Sequence, residues 1–74
     1  MHYDYRKLNG RIVEKFKTQS KFAEAITLSE RSLSNKLNNK VAWKQTEISK
    51  AMKLLDIEPS KIQDYFFTYK VHES

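Results

Sequence analysis

A single glycine, Gly10, and a single proline, Pro59, punctuate 74 residues. Tight hairpins draw on glycine and proline for the left-handed and fixed-φ positions of their turns. This chain therefore has little material for a sheet of short strands, and its apolar residues recur at helical spacing instead. Leu8, Ile12 and Phe16, with Val13 beside them, fall at i, i+4 and i+8 and predict a first helix over 5–17. Gly10 lies off that stripe and weakens the helix by roughly 1 kcal/mol relative to alanine. Asn9-Gly10 marks either a later helix start or a close approach of another backbone; the sequence leaves both open.

Thr18 is a good N-cap for a second short helix that ends near residue 26, anchored by Phe22, Ala23 and Ile26. Ser29 caps a third helix through 37, with Leu33 and Leu37 facing inward. Leu28 before that cap and Leu33 four residues into the helix have the spacing of a hydrophobic staple. A fourth helix is expected over 45–55, with Ile48, Ala51, Met52 and Leu55 on its inner face. Pro59 suits the first turn of a fifth over 59–66, in which Ile62 and Phe66 point inward. The expected architecture is all-α, five helices in one domain over 1–74. The last six or so residues read as frayed, although the alternation Phe67, Tyr69, Val71 equally fits a short extended segment.

A chain this short buries only about 60% of its unfolded surface around a single small core. That excludes a two-domain enzyme and leaves little room for a deep small-molecule pocket. With no cysteine there is no disulfide, thiolate nucleophile or cysteine metal site. The longest uncharged apolar runs are three residues, 41–43 and 65–67, so neither a membrane span nor a signal peptide is expected, and the chain reads as cytoplasmic. His2 and His72 sit at the ends without metal-ligand spacing, and one glycine cannot build a phosphate loop. The serines fall at caps and exposed helical positions. No catalytic residue, metal or cofactor is expected, and the chain reads as a non-enzyme.

The charge is uneven. The whole chain carries +5, yet residues 1–53 hold twelve basic against five acidic side chains and residues 54–74 hold two against four. A positive body suggests a polyanion on one face, against the plainer alternative of an ordinary solvated helical surface.

The informative stretch is TQSKFAEAITLSERSLSNKL, residues 18–37. Two short helices crossing steeply need a small side chain where the second presses on the first, and Ala23 supplies it. With Gln19 near the start of its first helix and Phe22, Ile26, Leu28, Leu33 and Leu37 beneath, the stretch resembles the helix-turn-helix of the repressor and Cro family of temperate phages. One departure matters: that family usually places glycine in the turn, where this chain has Thr27. A β-branched residue held left-handed costs on the order of 1–2 kcal/mol, so either the turn differs slightly or the strain is tolerated. The whole chain, through YRKLNGRIVEKF, Trp43 and the 65–67 segment, is similar to the small phage proteins called modulators of repression. That resemblance implies a protein that binds the lysogenic repressor and blocks its operator binding, besides carrying a helix-turn-helix.

If the third helix enters a major groove, its outward side carries the base readers. Arg31 and Asn35 are the first candidates, since Arg matches guanine O6 and N7 and Asn matches adenine N6 and N7; Glu30 and Ser34 flank them. Gln19, Ser32, Asn38, Asn39, Lys40 and Lys44 are phosphate-contact candidates on double-stranded operator DNA. The plain alternative is a helix face that is polar because it is solvated. From Arg31 to Lys44 there are four basic residues and no acid. Glu30 argues the other way, because phosphates repel a carboxylate whereas a basic DNA-reading helix on a protein attracts it. Glu24 and Glu30 are thus candidates for a protein partner. Nine aromatics exceed what so small a core holds. Trp43, Tyr65, Phe67 and Tyr69 either gather as an interface, homodimeric or heteromeric, or fold back onto the first and fifth helices.

Overall fold

The computed structural model describes residues 2–70. They form five helices: α1 Arg6–Phe16, α2 Gln19–Ile26, α3 Glu30–Leu37, α4 Gln45–Leu54 and α5 Ile62–Phe66. Among the described residues there is no strand, only one isolated antiparallel bridge. The fold is the expected all-α one. The fifth element starts differently: Pro59–Lys61 is a 3₁₀ turn, closed by the Lys61 N–H on the Glu58 carbonyl at 2.8 Å, and the α-helix begins only at Ile62.

Local chemistry fixes the helix starts. The Thr18 hydroxyl accepts from the Lys21 N–H at 3.1 Å and the Ser29 hydroxyl from the Ser32 N–H at 3.0 Å, so both caps act as the sequence predicts. At α4 the Glu47 carboxylate reaches back to accept the Lys44 N–H at 2.8 Å. At α1, Asp4 Oδ1 accepts the Arg6 N–H at 3.0 Å.

The helix ends show how the chain does without glycine. Thr27, Asn39 and Asp56 all take positive φ, at 67°, 63° and 52°. Behind each, the next residue bonds five positions back: Leu28 N–H to Ala23 O, Lys40 N–H to Asn35 O, Ile57 N–H to Met52 O. Each is accompanied by the shorter companion bond of a Schellman closure. Asn and Asp tolerate this region. Thr27 does not, so the strain expected at that turn is present, and its hydroxyl accepts from Lys50 Nζ at 2.7 Å.

Gly10 serves neither purpose that the sequence left open. It lies inside α1, exposed, with nothing within 4 Å of where a Cβ would stand.

Phe22, Phe66, Leu8, Ile12, Leu33 and Leu55 are fully buried, with Ala23 and Ala51 between them. α2 packs against α1, α3 and α4, while α1 also packs on α5. Leu37 faces inward as expected, half-buried and packed against the core, while Lys36 is the other buried residue of α3. Val13, beside the α1 stripe, is 46% exposed. Ile57, unassigned from the sequence, is buried because the left-handed Asp56 turns the chain back onto α4.

The two ends of the chain are tied together. Asp4 N–H donates to Thr68 O at 2.6 Å and Lys70 N–H to His2 O at 3.0 Å, with Tyr3 facing Tyr69 between them. The extended alternative therefore holds as far as residue 70, and Tyr69 and Lys70 are not frayed. Val71 and His72 lie outside the described residues. Among the described residues no helix is long and apolar enough to cross a membrane.

Candidate recognition surface on α2 and α3

α3 presents Arg31 and Asn35 one helical turn apart, hence on one face. Arg31 is exposed and Asn35 half-buried, and neither side chain bonds within the described residues. Glu30 is exposed in the first turn of α3, where the helix dipole favours a carboxylate. The other polar side chains of α3 have local partners. Ser32 exchanges a hydroxyl contact with Ser29 at 3.0 Å. Asn38 Nδ2 donates to the Ser34 carbonyl at 2.8 Å and its hydroxyl at 3.2 Å, closing the end of the helix.

Asn39 has a structural role that the sequence did not disclose. Its Oδ1 accepts the Tyr3 N–H and its Nδ2 donates to the Tyr3 carbonyl, both at 2.8 Å. Both ends of the amide are used on the N-terminal segment, which counts against Asn39 as a phosphate ligand. Gln19 donates to Asn9 Oδ1 at 2.8 Å, tying the start of α2 to α1. Lys40 and Lys44 are exposed, without an ion pair among the described residues.

Charge pairing is segregated. Arg6–Asp4, Lys7–Asp64, Arg11–Glu14 and Lys15–Asp56 neutralise much of α1 and its neighbours. Lys36 pairs with Glu47 at 2.9 Å and donates to the Ala42 carbonyl at 3.1 Å. Lys36 is thus withdrawn from the basic run between Arg31 and Lys44 and holds α3 to the start of α4. Burial pushes the Glu47 carboxyl up, but the Lys44 N–H and the Lys36 ammonium outweigh it and hold the group below its ordinary value. On and near α2 and α3, Lys17, Lys21, Arg31, Lys40 and Lys44 are exposed without ion pairs among the described residues, as are the carboxylates Glu24 and Glu30; Lys50, Lys53, Glu58, Lys61 and Lys70 are likewise exposed and unpaired elsewhere.

The aromatics mostly fold back. Trp43 meets Phe66 edge-on at 5.3 Å and Tyr5 at 6.5 Å, Phe67 meets Tyr3 at 5.7 Å, and Tyr3 stacks on Tyr69 at 5.2 Å. Trp43, Tyr65 and Phe67 are half-buried, with Lys7 lying 5.1 Å over the Tyr65 ring. Tyr69, at 54% exposed, is the member that faces solvent. The Trp43 indole N–H is buried without an acceptor. Among the described residues no group of His, Cys, Asp and Glu is arranged to hold a metal.

Fold and surface together define a small all-helical protein that presents unpaired charges of both signs on α2 and α3. The chain belongs to the family described as "Protein of unknown function (DUF739)", whose model matches residues 1–69. Among solved structures it is similar to the solution structure of the modulator of repression (MOR) of the temperate bacteriophage TP901-1 from Lactococcus lactis. The two are 54% identical, the match covers 97% of each chain, and the TM-score is 0.80. No curated protein matches.

Proposed function

We propose that this protein modulates repression in a temperate phage: it binds the phage's lysogenic repressor in the bacterial cytoplasm and blocks operator binding. The observation that carries this is the 54% identity, over 97% of both chains, to a phage modulator of repression. On this reading residues 1–74 are one domain without catalytic activity, built on a helix-turn-helix of the repressor and Cro type at 18–37. A repressor's DNA-binding surface must be basic to hold phosphates. Glu24 and Glu30, exposed and unpaired on α2 and α3, are the carboxylates available to such a surface. Arg31 and Asn35 add donors beside them. The test is calorimetry and co-elution of the purified pair, with a labelled-operator titration of the repressor in the presence and absence of this protein. A one-to-one complex that releases operator is expected. No heat and no co-elution at micromolar concentration would sink the proposal.

A second reading, an autonomous operator-binding repressor acting as a homodimer, is favoured by the exposed, unpaired Lys17, Lys21, Arg31, Lys40 and Lys44. It requires binding to operator duplex at low salt without the repressor.

A further inference from the structure

α3 carries Arg31 and Asn35, and α2 is the helix it packs against most. Its far end is fastened by side chains instead. Lys36 reaches Glu47, and Asn39, just past the helix, takes both backbone groups of Tyr3 at 2.8 Å. From Asn39 the connection runs directly to the candidate face. The next two residues, Lys40 and Val41, donate their N–H groups to the Asn35 carbonyl at 2.8 and 3.3 Å.

The segment that Asn39 grips belongs to no helix. It is fastened in turn to residues 68–70, through the Asp4 and Lys70 N–H bonds and through Tyr3, which stacks on Tyr69 and meets Phe67 edge-on. Residues 2–4 and 68–70 thus form a clasp, and Asn39 links it to α3. His2, Thr68, Tyr69 and Lys70 are all exposed. A closure with so few buried contacts opens at lower free energy than the helical core, so the clasp opens while the helices persist.

We infer that Asn39 is a positioning residue: held by the clasp, it sets the Asn35 end of α3 for binding a protein partner, and opening the clasp weakens that binding. The inference rests on the repressor-binding reading and adds to it a part of the molecule that touches the partner nowhere. A clasp that served stability alone would leave the affinity of the folded protein unchanged, and that difference is measurable.

Tyr3 and Tyr69 face each other as a non-hydrogen-bonded antiparallel pair. The Cα atoms of such a pair stand about 4.5 Å apart, within disulfide reach. The chain has no cysteine, so Tyr3→Cys/Tyr69→Cys gives one protein whose clasp is locked when oxidised and free to open when reduced. Calorimetry against the purified repressor should find the oxidised form within about twofold of wild type and the reduced form at least about fivefold weaker. Reduction should leave the helical circular dichroism unchanged. It should speed hydrogen exchange at the Lys40 and Val41 amides at least about tenfold and leave the Ala51 and Met52 amides unaffected. Trp43, the only tryptophan, lines a cavity with Tyr3 and Asn39, so its emission should move to longer wavelength on reduction. Adding Asn39→Gly to the oxidised form should restore the weak binding, because glycine keeps the left-handed turn but cuts the link. Equal affinity of the oxidised and reduced forms, wild-type affinity with Asn39→Gly, or unchanged exchange at Lys40 and Val41 would overturn the inference. A wild type that binds no repressor while exchange responds as stated would overturn the repressor reading instead, and with it the binding half of the inference.

Discussion

Lys36 Nζ lies 2.9 Å from the Glu47 carboxylate, joining the inner face of α3 to the first turn of α4. The lysine side chain is 6% exposed and the glutamate 15%, so both charges have lost most of their water. Such pairs add little over an apolar substitute of the same shape, but stranding one member is costly. Glu47→Gln keeps an acceptor for the Lys44 N–H yet removes the charge facing the ammonium. It should cost about 3 kcal/mol in a urea melt. The double replacement Lys36→Met/Glu47→Gln should return to within about 1 kcal/mol of wild type. If the double variant is less stable than Glu47→Gln alone, the pair is not the source of the loss.

The left-handed helix ends make opposite predictions at two positions. Thr27→Gly relieves a β-branched residue at φ 67° and loses one exposed hydrogen bond to Lys50. After the entropy cost of glycine, stability should rise by about 0.5–1 kcal/mol. Asn39→Gly relieves less, because asparagine tolerates this conformation, and it deprives Tyr3 of both backbone partners. It should lose roughly 1–3 kcal/mol. Thermal melts of the two variants should move in opposite directions.

The helices and most of the core were legible because each depends on residues close in sequence: the Thr18 and Ser29 caps, the Leu8–Ile12 spacing, Pro59 at a first turn. What was not legible depends on distant partners. Lys36 looks like surface charge until Glu47, eleven positions on, is placed beside it. Asn39 looks like a phosphate donor until the N-terminal segment arrives 36 positions away to use both ends of its amide. The aromatic surplus was visible, but whether it would cover a core or face outward depended on the Tyr3–Tyr69 pairing, which no local pattern encodes.

Acid should unfold this protein in a defined window. Hydrogen bonds from Arg6 hold Asp4 at about 2, below its ordinary 3.8. Glu47 and, through Lys15, Asp56 are also held down. A depressed carboxyl contributes stability that is complete above its unfolded pKa and is lost as pH falls towards the folded one. Stability should therefore be level near pH 6 and decline from about 4.5 towards 2. Asp4→Asn should flatten the lower part of that decline, between 3.8 and about 2. Tyr3, through its neighbour Tyr69, and the buried Tyr5 are raised above their ordinary value of 10, so stability should fall again as pH rises through that region. Urea midpoints across pH would check both limbs.

On operator DNA, the autonomous reading makes Arg31 and Lys40 distinguishable. Arg31→Ala should cost about 1–3 kcal/mol and relax preference at one base pair, whereas Lys40→Ala should weaken all sequences and flatten the salt dependence. Titrations of matched and mismatched duplexes at several salt concentrations separate the two. An Arg31→Ala loss uniform over all sequences would make Arg31 a backbone contact.

The sharpest test of the repressor-binding proposal is Glu30. The body of this protein is positive and a repressor's DNA-reading surface is positive too, so approach between them is unfavourable unless carboxylates are locally aligned. Glu30 is exposed in the first turn of α3, without an ion pair among the described residues. Its neighbour Arg31 raises the same problem in the opposite sense, which leaves apolar contact to supply most of the affinity. A carboxylate desolvated against an arginine carries coupling energies of about 1.5–7 kcal/mol, and removing it strands the partner's charge. Charge reversal is more severe than removal. Glu30→Lys should therefore weaken the repressor complex at least tenfold, equivalent to about 1.4 kcal/mol. The fold should persist, because Glu30 is neither buried nor a partner of any other described side chain. Calorimetry of wild type and Glu30→Lys against the same repressor, with circular dichroism as the folding control, reads this directly. An unchanged affinity would place the repressor contact elsewhere on the molecule.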